Sequence, residues 1–140
     1  LGVDYLTLFT NEKQIAAARK VVDDLQSALK LLNVTVLTSD ASGVDAVERR
    51  AQLSLEAGAD GLICSGQETA ALRTRHGAGP IIVNPGIRPA GGGADDQVRV
   101  VTPAMAIRAG ATNIVVGRPI TKAKDPRAAA EAIVAEIRGA

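Results

Sequence analysis

Short apolar runs alternate with helical apolar stripes along the whole 140-residue chain. The runs are apolar at consecutive positions, so both faces of the predicted strands are buried. Strands of this kind, separated by helices, are typical of a parallel sheet that helices cover. The predicted strands are residues 5–9 (YLTLF), 34–38 (VTVLT), 61–64 (GLIC), 80–83 (PIIV) and 113–116 (NIVV).

The first predicted helix begins after Asn11, whose side chain suits an N-cap with Gln14 as its reciprocal partner. Its apolar positions recur at helical spacing and predict one buried stripe. That stripe comprises Ile15, Ala18, Val22, Leu25, Leu29 and Leu32. On this reading Lys13, Lys20 and Lys30 belong to the same helix and face solvent.

Four more helices follow the later strands. The second carries Val44, Val47, Ala51 and Leu55 and stops at Gly58, and the third covers residues 68–75 and closes at Gly77. The fourth is capped by Thr102 and ends at Gly110, and the last is capped by Asp125, each with proline at the first helical position. We expect Ile133, Val134 and Ile137 to form the inner face of the last helix.

A weak internal repeat supports a series of equivalent units. The segments LGVDYLTLF, AGADGLICS and AGATNIVVG share a glycine, a short polar link and then a strand. The glycine suits the left-handed residue that ends a helix. No linker or composition change divides the chain, so residues 1–140 are expected to form a single domain.

The loops decide between two parallel architectures. An open doubly wound sheet usually has a glycine-rich loop after its first strand, but Thr10, Asn11 and Glu12 stand there. The glycine- and arginine-bearing loops follow the last two strands instead, as in the phosphate site of a (β/α)8 barrel. The prediction is therefore an α/β fold, a partial TIM barrel of five parallel β/α units in which strands 1–3 are absent.

Composition narrows the function classes. Hydrophobic residues make up 46% of the chain, yet its aromatic residues are only Tyr5 and Phe9, and the net charge is +1. A nucleic-acid partner is therefore not expected. Single residues Cys64 and His76 argue against zinc sites, disulfide frameworks and Cys–His nucleophile pairs. With no apolar run near the ~20 residues of a membrane span, we expect a soluble cytoplasmic domain without membrane contact.

Two neighbouring loops carry the candidate chemistry. The loop after residues 80–83 contains Arg88, three consecutive glycines at 91–93 and Gln97, and the loop after residues 113–116 contains Gly117 and Arg118. Glycines let the backbone approach an anion closely, and arginine adds a planar bidentate donor. Any one of these residues alone could equally be an ordinary turn or surface position. Together, at adjacent strand ends, they predict a converging anion site.

At these residues the chain resembles the C-terminal half of orotidine 5′-phosphate decarboxylase. The resemblance rests on VTVLTS, on GLICS with Gln67 and Glu68, and on VNPGIRP through Asp96 and Gln97, then on VTPAMAIRAGA and VVGRPIT. It is collinear and covers essentially the whole chain. It implies a (β/α)8 barrel that converts orotidine monophosphate to UMP and CO2 without metal or cofactor, in a homodimer whose active sites lie at the subunit interface.

The resemblance also implies roles for particular residues. Arg88, Arg118 and the backbone of Gly117 would bind the 5′-phosphate. Gln97 would bridge the phosphate and the pyrimidine and help the long loop to close. Thr38 would lie at the nucleotide, and Ser39 is a candidate for the pyrimidine amide edge. The chain departs from the family's usual residues at Phe9–Thr10 and Asn84, which carry none of these contacts.

The catalytic network that the resemblance calls for is absent from the sequence. The family's chemistry uses an Asp–Lys–Asp–Lys network on strands 1–3, and the motif D-x-K-x-x-D occurs nowhere in these 140 residues. No catalytic residue is therefore assigned within this chain. The sequence predicts the nucleotide-binding half of the enzyme rather than a complete active site.

Two alternatives stay open. One keeps the barrel and phosphate site but changes the chemistry to that of hexulose-phosphate synthase, ketogulonate-phosphate decarboxylase or another sugar-phosphate enzyme of the same suprafamily. The other is a catalytically silent half-barrel, natural or engineered, that binds phosphate or assembles with a complementary piece. Five parallel strands leave two exposed edges, at residues 5–9 and 113–116, so the isolated piece is expected to self-associate.

Overall fold

Five parallel strands form one sheet in the computed structural model, which describes residues 2–35, 44–89 and 101–140. Each strand pairs with the one before it in the chain, so the order across the sheet is sequential. The strands are β1 (Tyr5–Leu8), β2 (Lys30–Val34), β3 (Gly61–Ile63), β4 (Ile81–Asn84) and β5 (Asn113–Ile114).

In the described part of the chain, six helices connect or follow these strands. They are α1 (Glu12–Asp24), α2 (Val44–Glu56), α3 (Thr69–His76), α4 (Pro103–Arg108), α5 (Arg118–Thr121) and α6 (Pro126–Arg138). The sequence predicted all of them except α5, because four residues are too few to show a helical period.

The sequential strand order confirms the predicted architecture. A doubly wound sheet reverses its strand order at a switch point, whereas a barrel adds each strand beside the previous one. All four strand pairs here are parallel and join consecutive strands. The described sheet is therefore an arc of a barrel wall.

The predicted helix starts are confirmed by their caps. The Asn11 side chain accepts a hydrogen bond from the Gln14 amide at 3.1 Å. Thr102 and Asp125 cap α4 and α6 in the same way, with acceptor distances of 3.2 and 3.0 Å. Each of these bonds joins residues three positions apart, so the capping pattern is local and can be recognised in the sequence.

The predicted end of the first helix is wrong. α1 stops at Asp24, Gln26 adopts φ 47°, and β2 starts at Lys30. The strand therefore begins before the predicted 34–38 segment, whose last three residues lie outside the described ranges. Leu32 continues the helical spacing by coincidence, because a strand buried on both faces also places leucines there. Leu29 lies in the link between α1 and β2. Lys30 consequently lies in the sheet rather than on α1.

The described residues form two apolar core clusters. One packs α2 and α3 against the sheet and comprises Val47, Ala51, Leu62, Cys64, Leu72 and Ile82. The other comprises Ile87, Val101, Ala106 and Ala111, with Ile114 packed against it. In this second cluster Ile87 pairs with Val101, and the Arg88 amide donates to the Val101 carbonyl at 3.1 Å. The cluster thereby fixes the backbone position of Arg88 beside β4.

The buried face of α6 includes fewer residues than predicted. Ile133 is buried, whereas Val134 is 44% exposed. Val134 follows Ile133 directly, and a helix turns by about 100° per residue, so the two side chains diverge. The expectation that Val134 belongs to the inner face is therefore wrong.

Gly61 marks a close approach between β3 and β4. A Cβ atom at this position would lie 2.3 Å from the Ile81 carbonyl oxygen and 2.7 Å from the Ile81 Cβ. Neither atom belongs to the far end of a flexible side chain, so no rotamer change relieves the contact. Only glycine fits this point of the sheet.

Candidate functional site

The carboxyl ends of the strands form one edge of the sheet, because every strand pair is parallel. Arg88 lies in the loop that leaves β4, and Gly117 and Arg118 follow β5. β4 and β5 are neighbours, with Asn84 opposite Ile114. The structure therefore places the two predicted anion-binding loops at adjacent strand ends. The other predicted contacts, Thr38, Ser39 and Gln97, lie outside the described residues.

Arg88 is a buried cation with unused hydrogen-bonding capacity. It is 6% exposed, and its Nη1 donates to the Ile87 carbonyl at 3.0 Å. Its Nε is buried and has no hydrogen-bond partner among the described residues. Burying a guanidinium donor without a partner is unfavourable, and an anion at this point would satisfy it.

Gly117 and Arg118 present a more open surface. Gly117 is exposed, and a Cβ atom placed there would have no described atom within 4 Å. Its carbonyl accepts from the amides of Ile120 and Thr121 at 2.9 and 3.0 Å, which holds the turn into α5. Arg118 is half-buried at the start of that helix. A ligand can therefore approach the Gly117 backbone without meeting a side chain of the described part.

Asn84 organises the ends of β3 and β4. It is fully buried, its Nδ2 donates to the Cys64 carbonyl at 3.0 Å, and its Oδ1 accepts from the Thr69 hydroxyl at 2.9 Å. The sequence showed Asn84 only as a departure from the family's usual residue. The sequence feature that could have indicated this role is a polar residue at the end of an otherwise apolar strand.

The turn between β3 and α3 is also held by hydrogen bonds. The Glu68 carboxylate accepts from the Ser65 amide at 3.0 Å, and the Glu68 amide donates to the Ser65 carbonyl at 3.0 Å. Glu68 is 6% exposed. Together with Asn84, this turn connects the ends of β3 and β4 and the start of α3 by hydrogen bonds.

Cys64 directly follows β3 and is buried in the apolar core. Burial, reinforced by the nearby Glu68 carboxylate, raises the pKa of its thiol to about 12. The thiol therefore stays neutral near pH 7, which disfavours a nucleophilic role. Cys64 instead packs as a small buried residue of the apolar core.

The pKa of Cys64 predicts a loss of stability at high pH. The unfolded thiol ionises near its ordinary pKa of 9.0, whereas the folded thiol ionises only near 12. Between these values ionisation favours the unfolded state, by up to about 1.4 kcal/mol per pH unit. Urea unfolding from pH 8 to 11 measures this slope. Cys64→Ala, compared with the native chain, is expected to show a smaller decline, and an identical decline in both would contradict the assignment.

A separate cavity of about 270 Å³ lies near the end of β1. Arg50 carries positive charge there, with its guanidinium 5.9 Å from the Phe9 ring centroid, and Glu12 opposes that charge. β1 and β5 are the two outer strands of the described sheet. The cavity is therefore distinct from the loops after β4 and β5. It is lined by Phe9, Thr10, Asn11, Glu12, Arg50 and Ser54.

Comparison with protein families decides the relationship. The model of the orotidine 5′-phosphate decarboxylase / HUMPS family matches residues 1–133. The chain belongs to the orotidine 5′-phosphate decarboxylase / HUMPS family.

Curated members of the decarboxylase family align with nearly the whole chain. The orotidine 5′-phosphate decarboxylases of Methylobacterium sp. (strain 4-46) and Rhodopseudomonas palustris (strain BisB5) are each 51% identical to it, over 98% of its length. The aligned region covers 63% and 62% of those two proteins. The chain thus spans less than two thirds of the length of the curated decarboxylases that it matches.

Solved decarboxylase structures agree with this relationship. The orotidine 5′-phosphate decarboxylase of Lactobacillus acidophilus superposes with a TM-score of 0.77 at 35% identity, covering 97% of this chain and 64% of its own. The enzyme of Pyrococcus horikoshii OT3 gives a TM-score of 0.70 at 29% identity, covering 99% of this chain and 63% of its own. The partial-barrel prediction is confirmed.

No helix in residues 2–35, 44–89 or 101–140 is long and apolar enough to cross a membrane. Over the same ranges, no group of three or more His, Cys, Asp and Glu side chains is placed to hold a metal ion.

Proposed function

We propose that this chain is the nucleotide-binding part of an orotidine 5′-phosphate decarboxylase, which converts orotidine monophosphate to UMP and CO2 in pyrimidine biosynthesis. The observation that carries the proposal is Arg88, a buried guanidinium at the carboxyl edge of the sheet whose Nε has no hydrogen-bond partner within the described ranges. Membership of the decarboxylase family supplies the substrate class.

In this proposal Arg88, Arg118 and the Gly117 amide bind the 5′-phosphate. Two guanidinium groups balance the dianionic charge, and each charge-assisted hydrogen bond contributes about 1.5–3 kcal/mol. The exposed backbone of Gly117 lets a phosphate oxygen approach closely. Gln97 bridges the phosphate and the pyrimidine, Thr38 lies at the nucleotide, and Ser39 contacts the pyrimidine amide edge.

The proton-transfer chemistry belongs to residues outside this sequence. The motif D-x-K-x-x-D does not occur in the 140 residues, and Cys64 remains protonated. We therefore propose that the chain binds nucleotide but does not decarboxylate it unaided. The complete enzyme acts as a homodimer in the cytoplasm and uses no cofactor.

The proposal is tested by nucleotide binding and turnover of the purified chain. We expect UMP to bind, as measured by calorimetry, with no decarboxylation of orotidine monophosphate as followed by ultraviolet absorbance. Arg118→Ala is expected to weaken UMP binding about tenfold, because one charge-assisted contact is lost.

Arg127→Ala is the matched control, because Arg127 is an exposed arginine on α6 that pairs with Glu131 at 2.9 Å. It is expected to leave UMP affinity unchanged. Equal affinities of the native and Arg118→Ala chains would remove the phosphate-site assignment. Equal binding of UMP and ribose 5-phosphate would favour a sugar-phosphate enzyme, since the pyrimidine would then contribute nothing.

A further inference from the structure

Asn84 lies where the two predicted anion-binding loops begin. It is the last residue of β4, and Arg88 follows it by four positions. Its backbone carbonyl accepts from the Val115 amide at 2.9 Å, two positions before Gly117. This residue is therefore joined by the chain to the loop of Arg88 and by a hydrogen bond to the loop of Gly117.

The side chain of Asn84 bonds on the other side, to β3 and α3. The strands β3 and β4 have their last paired residues at Ile63 and Val83, one position before Asn84. Beyond that pair the Asn84 Nδ2 donates to the Cys64 carbonyl at 3.0 Å, and the Oδ1 accepts from the Thr69 hydroxyl at 2.9 Å. The side chain thus continues the link between the strands where their paired residues end.

Burial and hydrogen bonding fix this side chain. Asn84 and Thr69 are both 0% exposed. A buried amide without partners is unfavourable, and both ends of this amide are satisfied by the protein. The side chain can therefore turn away only by breaking two buried hydrogen bonds. The end of β4 is thus fixed relative to β3 and α3.

The loop of Arg88 is held at a second point. Ile87 pairs with Val101, and the Arg88 amide donates to the Val101 carbonyl at 3.1 Å. Two residues separate Asn84 from Ile87. The segment is therefore short and tied at both ends, which fixes the backbone from which the Arg88 side chain extends.

A phosphate site made by two loops depends on the spacing between them. Charge-assisted hydrogen bonds to phosphate are short, and a binding site must be held within about 0.5 Å of its productive geometry. Arg88 and Arg118 follow different strands, β4 and β5. Their spacing consequently depends on how the carboxyl end of β4 is held against its neighbours, which is where Asn84 lies.

We propose that Asn84 is a positioning residue for the phosphate site. Its side-chain amide fixes the start of the loop that carries Arg88, and thereby the spacing between Arg88 and the Gly117–Arg118 turn. Both ends of the amide are occupied by protein partners, so Asn84 acts without touching the ligand. The inference rests on the proposed function, since it takes these two loops to bind the 5′-phosphate.

Ligand binding by the purified chain tests the inference. Asn84→Ala removes both side-chain bonds and is expected to weaken UMP binding about tenfold, as measured by calorimetry on the folded variant. Ribose 5-phosphate binding is expected to weaken by the same factor, because the change lies in the phosphate contacts. Asn113→Ala is the matched control, since Asn113 is exposed at the amino end of β5, and it is expected to leave both affinities unchanged.

A double substitution separates positioning from a general effect on folding. Arg88→Met leaves no guanidinium on this loop to be positioned, so adding Asn84→Ala to it is expected to change UMP affinity by less than about twofold. An asparagine that only stabilised the fold would lower the unfolding temperature in both backgrounds and leave the UMP affinity of the folded chain unchanged. Thermal unfolding followed by circular dichroism measures that effect separately.

Thr69→Val tests the same bond network with a smaller change. Valine keeps the shape of threonine and removes the hydroxyl that donates to the Asn84 Oδ1. The bond to the Cys64 carbonyl remains, so UMP binding is expected to weaken only about threefold. If Asn84→Ala does not fold, Thr69→Val decides the matter alone, and native UMP affinity in this variant would overturn the inference.

Three further results would also overturn it. They are native UMP affinity in folded Asn84→Ala, a tenfold effect of Asn84→Ala that persists in Arg88→Met, and a loss of UMP binding without a loss of ribose 5-phosphate binding. The last result would place the effect at the pyrimidine. Failure of the native chain to bind UMP would overturn the proposed function and this inference with it, whereas the three results above concern Asn84 alone.

Discussion

Replacing Arg88 with methionine is expected to weaken UMP binding about a hundredfold without destabilising the chain. The guanidinium is 6% exposed, and its Nε has no partner among the described residues. In such a low-dielectric position a hydrogen bond to phosphate is strong, so its loss is large. Methionine keeps the apolar stem. Removal of a buried charge that has no ion-pair partner in the described part of the chain is neutral or favourable for folding. Calorimetry with UMP and thermal unfolding measure the two effects separately.

Arg88→Lys is the informative comparison for this prediction. Lysine retains the positive charge but supplies a single ammonium group in place of the planar guanidinium. We therefore expect a UMP affinity between those of the native chain and Arg88→Met. The phosphate assignment fails if Arg88→Met binds UMP as the native chain does. A marked drop in the unfolding temperature of Arg88→Met would instead show that Arg88 stabilises the fold, which is not the role proposed for it.

Arg73→Ala is expected to show the opposite behaviour and to lower the free energy of unfolding by about 2–4 kcal/mol. The Arg73 side chain donates to the carbonyls of Gly110 and Pro80 at 2.8 and 2.7 Å, and to the Thr112 hydroxyl at 2.9 Å. It therefore joins α3, the start of β4 and the turn before β5. Urea unfolding measures the change.

Arg75→Ala provides the matched control on the same helix. Arg75 pairs with Glu48 at 3.5 Å, and its side chain is 52% exposed, so its removal is expected to change stability by about 0.5 kcal/mol or less. Equal effects of the two substitutions would show that the Arg73 contacts contribute no more than a surface ion pair. UMP affinity of folded Arg73→Ala is expected to remain native, because Arg73 lies at the amino edge of the sheet.

The loop positions of the candidate site were predictable because they depend on strand order alone. Arg88 and Arg118 follow consecutive parallel strands, and consecutive strands in a barrel are neighbours. The role of Asn84 was not predictable in this way. Its partners, Cys64 and Thr69, become partners only when the ends of β3 and β4 and the start of α3 meet.

Sequence patterns alone predicted the parallel α/β plan, the caps at Asn11, Thr102 and Asp125, and the two loops that carry arginine. These features rest on interactions within a few residues or on the period of apolar positions. The tertiary structure alone decided that β2 begins at Lys30, because a strand buried on both faces and a helical stripe place leucines at the same positions. It also decided that the Arg88 Nε is buried without a described partner, since burial depends on packing between segments far apart in the chain.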